Sequence, residues 1–385
     1  MVVEPAAQET VEQTAGQAEG DNILMSGEEV AATPFRPEEL GLATRNHGMP
    51  LEALRYDVTP PGLHYLLIHF DVPDVDAETW RLEVAGAVGR PISLSLRDLR
   101  TMPSASRAVT LECAGNGRAL VEPRAVSQPW GLEAVGTAVW TGVPLRDVLA
   151  QAVPVGGAVE VVFAGMDRGI DGGLEQNYAR SLSIEDAMHE DVLLAWNMNG
   201  APLPPQHGFP LRLVVPRWYG MASVKWLRSI TVVDAPFLGD QMTRAYRFRS
   251  EEEEPGTPVT RIYPRSLMEP PGIPEFLTRE RFVSPGPCTL RGRAWSGWGP
   301  IGRVDVSVDG GRTWADAELG GARGPASWRA WSFGWDAAPG AYELCCRATD
   351  ESGNTQPLEA PWNLGGYANN AVQRVPVTVR EPVQG

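Results

Sequence analysis

The sequence predicts an α+β protein: a mixed α+β domain followed by an immunoglobulin-like β-sandwich. Three observations point there. The chain has 385 residues, more than a single hydrophobic core usually organises. Its earlier part mixes strand-like and helix-like runs without the regular strand–helix alternation of a doubly wound sheet. Beyond the charged, turn-rich run Glu251–Glu254 and Pro255-Gly256, the texture changes to short alternating strands at sandwich spacing. The expected divisions are an acidic disordered tail over 1–36, a mixed domain over 37–250, and a linker with the sandwich over 251–385.

The tail comes first. Residues 1–34 hold seven acidic side chains, from Glu4 to Glu29, and no Lys or Arg, so they supply −7 of the net charge of −15. Few large apolar residues accompany them, which favours disorder. The stretch lacks the basic start and apolar middle of a secretory signal, and no twin-arginine pair is visible, so the expected location is cytoplasmic. No apolar run approaches the roughly 20 residues a membrane helix needs. The acidic balance makes nucleic acid and anionic membrane surfaces poor partners.

In the mixed domain, Trp80–Val84 alternates as a strand does, and Gly86 and Gly89 turn it. Ser95 should cap a short helix over Leu96–Arg100 that Pro103 ends. Pro144–Ala152 has helical spacing with proline in its first turn. Gly156-Gly157 then breaks the chain before a buried strand, Val159–Phe163. Ser183 precedes another short helix at Ile184–Met188, and Leu211–Val215 and Ser229–Val233 read as strands. In the sandwich, Arg303–Val308 leads into a hairpin turn at Asp309-Gly310-Gly311. Tyr342–Ala348 is a further strand, and Val375–Val379 a terminal edge strand, where proline is tolerated.

Four cysteines are too few for a disulfide framework, and no Cys-x-x-Cys pair suggests zinc, an iron–sulfur cluster or attached haem. Cys345 and Cys346 read as packing residues. Cys113 differs. An apolar run (Ala108, Val109, Leu111) delivers it into the turn Gly115-Asn116-Gly117, with Arg118 five residues later. A guanidinium beside a thiol stabilises the thiolate and attracts anions. Taken alone, this suits a nucleophile, a metal ligand or an inert buried thiol. The glycines do not form a dinucleotide fingerprint, because Leu120 stands where the third would fall.

Five other segments concentrate chemistry. Thr44-Arg45-Asn46-His47 places donors in a loop. Gly165-Met166-Asp167-Arg168-Gly169 puts a carboxylate in a turn after the Val159–Phe163 strand. The others are Gln206–Arg212, Tyr219–Trp226 and the run ending at Tyr246. Lys225 is the chain's one lysine among 33 basic residues. A compact ammonium kept where arginine is otherwise universal suits a point contact with phosphate in a tight pocket.

Together and in order, these segments resemble the sulfite oxidase family of molybdenum enzymes: Arg45-Asn46-His47, Cys113-Ala114-Gly115-Asn116-Gly117-Arg118, Gly165-Met166-Asp167, His207-Gly208-Phe209-Pro210-Leu211-Arg212 and Ser223-Val224-Lys225-Trp226. The likeness covers roughly residues 40–380 and makes 37–250 a molybdopterin-binding catalytic domain. The sandwich then looks like that family's dimerisation domain, which implies a homodimer. The resemblance implies a molybdenum held by one pterin dithiolene, with Cys113 as the protein's metal ligand. Arg45, Asn46, His47, Asp167, His207, Arg212, Ser223, Val224 and Lys225 would hold the pterin and its phosphate, with Tyr178 a further candidate. Arg45, Arg118, Trp130 and Tyr246 would face the substrate.

The implied reaction is oxidation of sulfite to sulfate by oxygen-atom transfer, with electrons passed to an external acceptor and no haem in the chain. The alternatives are a nitrate or S-/N-oxide reductase on the same cofactor, or a cofactor-free binding protein on the same scaffold. Two departures bear on substrate choice. Gly117 stands where animal members often carry arginine, and Arg217 where glycine is commoner.

Overall fold

Strand pairing in the first domain follows the alternation of its apolar residues, and the computed structural model describes residues 34–381. The tail expected over 1–36 therefore lies, for 1–33, outside the described residues. Its last three residues are placed: Arg124 donates to the Pro34 carbonyl at 3.0 Å and stacks on Phe35.

One five-stranded sheet runs Ile92–Ser95, Arg81–Gly86, Leu227–Val233, Glu160–Asp171, Leu174–Ser183 in spatial order. Only the Arg81–Gly86 pairing with Leu227–Val233 is parallel. The second sheet orders Ala105–Glu112, Val135–Pro144, Leu193–Met198 and Ala201–Pro202, with Arg212–Val214 also on Leu193–Met198. Leu82, Val161 and Phe163 of the first sheet and Val143, Leu194 and Leu213 of the second meet in one core, with Leu145, Val148 and Leu149 of a helix packed between them. Local signals set the helix ends. The Ser95 hydroxyl accepts from the Asp98 N–H while Asp98 accepts from the Ser95 N–H, a reciprocal cap for Leu96–Thr101. The Ser183 hydroxyl caps Ile184–Ala187 in the same sense. Leu145–Ala152 starts directly after Pro144 and ends at Val153, whose φ is +58°.

The second domain is a sandwich of a four-stranded and a six-stranded sheet. Leu290, Val304, Val306, Trp331, Leu344, Cys346 and Val377 fill it. Cys345 and Cys346 are free thiols with no exposure, as packing residues should be. A separate buried cluster joins the domains: Leu54, Ala114 and Tyr219 from one, Leu267, Trp295, Trp328 and Ala368 from the other.

Three local expectations are corrected. Arg45 is not in a loop; it closes the helix Pro37–Arg45, which has proline at its start and Glu38 and Glu39 in its first turn. Asp167 is not in a turn, because the strand continues through it to Asp171 and bulges between Ala164 and Arg168. The last strand, Gln373–Val379, is interior, flanked by Arg281–Val283 and Gly340–Asp350. Its Pro376 is tolerated because the parallel ladder begins one residue later, at Val377.

Candidate active site

The strand Ala105–Glu112 ends one residue before Cys113, and the chain then turns tightly. The Asn116 N–H donates to the Cys113 carbonyl at 3.0 Å, and the Arg118 N–H to the Gly115 carbonyl at 3.0 Å. Gly117 has φ +90°, and a β-carbon there would lie 2.8 Å from the Asn369 carbonyl oxygen, so only glycine fits. Cys113 and Arg118 are both buried. Burial pushes the Cys113 thiol up, while the Arg118 guanidinium, the Gly115 N–H and the Trp130 indole pull it back. Among the described residues no carboxylate pairs with Arg118. Its Nε donates to the Gly365 carbonyl at 2.8 Å, and the guanidinium lies 5.1 Å from the centre of the Tyr367 ring. A buried cation without a counter-ion thus stands beside a thiol.

Cys113 opens into a cleft between the two sheets' loops and the 64–69 segment. Asp167, His207, Arg212, Ser223 and Lys225 line it with Tyr178 and Tyr246. Gly208 brings two of them together: with φ +107°, its absent side chain leaves Arg212 and Lys225 within 3.1 Å of where a β-carbon would sit. Arg212 donates to the carbonyls of His207 at 3.1 Å and Ser223 at 3.2 Å and stacks on Trp140. Lys225 Nζ donates to the carbonyls of Leu67 at 2.7 Å and Gln206 at 3.2 Å. Neither cation has a carboxylate within ion-pair distance among the described residues. Burial lowers Lys225 to about 7 and Arg212 to about 10. Burial also raises Asp167 to about 7, against the pull of Lys225, and holds His207 neutral, down to about 2. Val224 is buried beside them and uses its backbone, its carbonyl accepting from the Leu213 N–H at 2.8 Å.

Contrary to expectation, Arg45, Asn46 and His47 are not among the residues lining the cleft, and neither are Arg118, Trp130 and Val224, although the Arg45 charge still bears on Lys225. Arg45 is solvent-exposed and donates to the Phe70 carbonyl at 2.7 Å. The Asn46 side chain is saturated by protein, donating to Leu42 and Gln128 and accepting from the Ile68 N–H at 2.7 Å. His47 is exposed and bridges to Leu66 through its backbone. The helix ahead of them fixes the reason: it sends the segment along the outside of 66–70, which forms the wall instead.

The wall residues that motif reading missed are His64, Tyr65, Leu66, Leu67 and His69. Two of the chain's five histidines within six residues, flanking a tyrosine, were the available signal. His69 Nε2 lies 2.5 Å from the Tyr246 hydroxyl, and its ring stacks on Tyr178 at 4.5 Å. Burial holds His69 neutral, to about 3, and Tyr178 and Tyr246 protonated. Trp130 is buried against Cys113, and its indole N–H has no oxygen or nitrogen acceptor in the protein. Arg217 pairs with Asp191 at 3.6 Å and takes no part in the cleft wall.

A family model described as "Oxidoreductase molybdopterin binding domain" matches residues 69–240, and one described as "Mo-co oxidoreductase dimerisation domain" matches 269–380. The first match begins at His69, beyond Arg45–His47. The mitochondrial sulfite oxidase of Mus musculus is 40% identical over 84% of this chain and 62% of its own length. Sulfite oxidase of Gallus gallus is 39% identical over 82% of this chain and 72% of its own. A nitrate reductase [NAD(P)H] of Hordeum vulgare is 35% identical over 85% of this chain, which spans 40% of that protein. Among solved structures, the sulfane dehydrogenase SoxCD of Paracoccus pantotrophus superposes with a TM-score of 0.75 at 26% identity, over 92% of this chain and 96% of that one.

Fold and site thus define a molybdopterin-dependent oxidoreductase. The chain belongs to the sulfite oxidase family, and it spans less than two thirds of the mouse sulfite oxidase's length. Its own residues fit the molybdenum–molybdopterin cofactor. Buried Arg212 and half-buried Lys225 are cations with no carboxylate partner among the described residues, as a phosphate-bearing ligand requires. His64 Nε2, at the cleft, and Arg180 Nε are buried without a protein partner. Among the described residues no three His, Cys, Asp or Glu side chains converge. A lone thiolate at Cys113 fits a metal whose other donors come from a pterin dithiolene.

Proposed function

We propose that this chain catalyses oxygen-atom transfer on a small substrate, with oxidation of sulfite to sulfate as the leading reaction. The observation that carries it is Arg118, a buried guanidinium without a counter-ion next to the Cys113 thiol. A dehydrated, preorganised cation is worth most where an anion must be held against a reacting centre. In this reading Cys113 supplies the thiolate ligand, and His207, Arg212, Ser223, Val224, Lys225 and Asp167 hold the pterin and its phosphate. Arg118, Trp130 and Tyr246 face the substrate, and Asn46 acts from behind by fixing Ile68 in the 64–69 wall. The bound cofactor supplies the two-electron redox change and the oxygen-transfer chemistry. Overall, sulfite and water give sulfate, two protons and two electrons, and the electrons leave to an external acceptor. The dimerisation-domain match supports a homodimer.

A second reading, reduction of nitrate or of an S- or N-oxide, is favoured by one observation. The cleft wall sets its two cations, Arg212 and Lys225, amid Leu66, Leu67 and three tyrosines, which suits a monoanion or neutral oxide as well as a dianion. Molybdenum content and steady-state assays with artificial electron carriers separate the readings. Sulfite-dependent reduction of a carrier supports the first, and nitrate- or oxide-dependent oxidation of a reduced carrier supports the second. Absence of molybdenum after expression in a cofactor-competent host would leave a binding protein.

A further inference from the structure

We infer that Arg265 and Trp295 of the sandwich domain are positioning residues for Cys113, acting through the buried carboxylate of Glu112. This rests on the reading of Cys113 as the metal ligand. Glu112 is the last residue of the strand that delivers the thiol, and it is wholly buried. Arg265 Nε approaches its Oε1 at 2.7 Å, in an ion pair with 1% and 0% of the two side chains exposed. The indole N–H of Trp295 donates to Oε2 at 2.7 Å. Asn116, inside the cysteine loop, donates to Oε1 at 3.0 Å, and its own Oδ1 accepts from the Ala134 N–H at 3.0 Å. Arg265 also donates through Nη2 to the Asn116 carbonyl at 3.3 Å and to the Asn369 carbonyl.

The second domain grips the rest of the loop as well. The Ala368 N–H donates to the Ala114 carbonyl at 2.7 Å, and Asn369 Nδ2 to the Gly117 carbonyl at 2.8 Å. An ion pair this deep is weak evidence for stability, because desolvating both charges offsets most of their attraction. It does fix geometry. Two hydrogen-bond donors, Trp295 and Asn116, and the paired Arg265 cation converge on one carboxylate and hold Glu112 in one orientation, which the backbone of Cys113 inherits. Partners one step removed from a ligand tune a metal site in this way, and their loss costs about 10- to 100-fold in affinity or activity.

The test uses the full chain with Arg265→Lys, which keeps the charge but cannot reach Glu112, Asn116 and Asn369 together. In cofactor-free protein, iodoacetamide labelling of Cys113 is followed by peptide mass spectrometry against Cys288 as internal reference. The expected result is about tenfold faster labelling of Cys113 in the variant, with the thermal midpoint kept within a few degrees. In molybdenum-loaded protein, the thiolate-to-metal absorption should shift and kcat fall about tenfold or more while KM changes little. Labelling, absorption and kcat all equal to the parent would overturn the inference. Should Arg265→Lys not fold, Trp295→Phe, which removes one N–H and keeps the packing, is read by the same criteria. A parent protein without molybdenum would instead defeat the proposed function, leaving the labelling result to speak for the brace.

Discussion

Arg118 and Arg45 carry the same charge in opposite surroundings, and their substitutions should separate accordingly. Arg118 is buried with no counter-ion among the described residues, whereas Arg45 is exposed on a backbone carbonyl. A hydrogen bond to a charged group is worth about 1.5–3 kcal/mol. Arg118→Gln should therefore raise the half-saturation concentration for an anionic substrate about 10- to 100-fold. Arg45→Gln should leave it within about twofold, as exposed charges contribute little. Steady-state kinetics on both variants checks the pair, and equal effects would return Arg45 to the pocket.

Asp167 gives a pH dependence whose sign can be worked out. Burial raises its carboxyl to about 7 in the folded chain, above the ordinary value of 3.8. A group shifted this way contributes stability that is fully present below the unfolded value and lost as pH rises through the folded one. In cofactor-free protein, Asp167→Asn should raise the thermal midpoint at pH 8, with the gain shrinking toward pH 4. A gain that grows on acidification would contradict the burial argument.

At the scale of elements, the cleft depends on a few places where backbone passes close to backbone. The bulge at 164–168 swings Asp167 out of the ladder toward Lys225, and Gly165 permits it, since a β-carbon there would lie 2.7 Å from the Lys225 carbonyl oxygen. Gly117 is the more exposed to test. Its positive φ and its contact with Asn369 make Gly117→Ala cost about 1–3 kcal/mol, and the displaced loop should also slow turnover. Denaturant unfolding measures the first effect, and a stability equal to the parent's would mean that the loop relaxes freely.

The two domains act as one unit in the whole molecule. The cysteine loop takes hydrogen bonds from Ala368 and Asn369, Glu112 depends on Arg265 and Trp295, and a shared apolar cluster spans the junction. A chain cut after residue 250 would leave the Glu112 carboxylate buried or newly exposed without its cation, together with an apolar face. Such a fragment should aggregate or unfold without a cooperative transition, seen by solubility and calorimetry. A soluble fragment with a sharp transition would show that the junction is dispensable for folding. In the full chain, light scattering at micromolar concentration should report a dimer.

The sequence by itself determined what is local. Ser95 and Ser183 caps, the glycine turn at 115–117, the alternation of Arg303–Val308 and the order of Cys113, Asp167, His207, Arg212 and Lys225 each follow from short-range chemistry. The arrangement of a cleft is different, because its wall is chosen by which segments the sheets bring together across long separations. Arg45-Asn46-His47 ends a helix and packs against 66–70, and His64–His69, with no motif to announce it, occupies the wall. The interior place of Val375–Val379 and the brace from Arg265 and Trp295 to Glu112 arise for the same reason: pairing and burial partners are set by packing between distant elements, which no local pattern encodes.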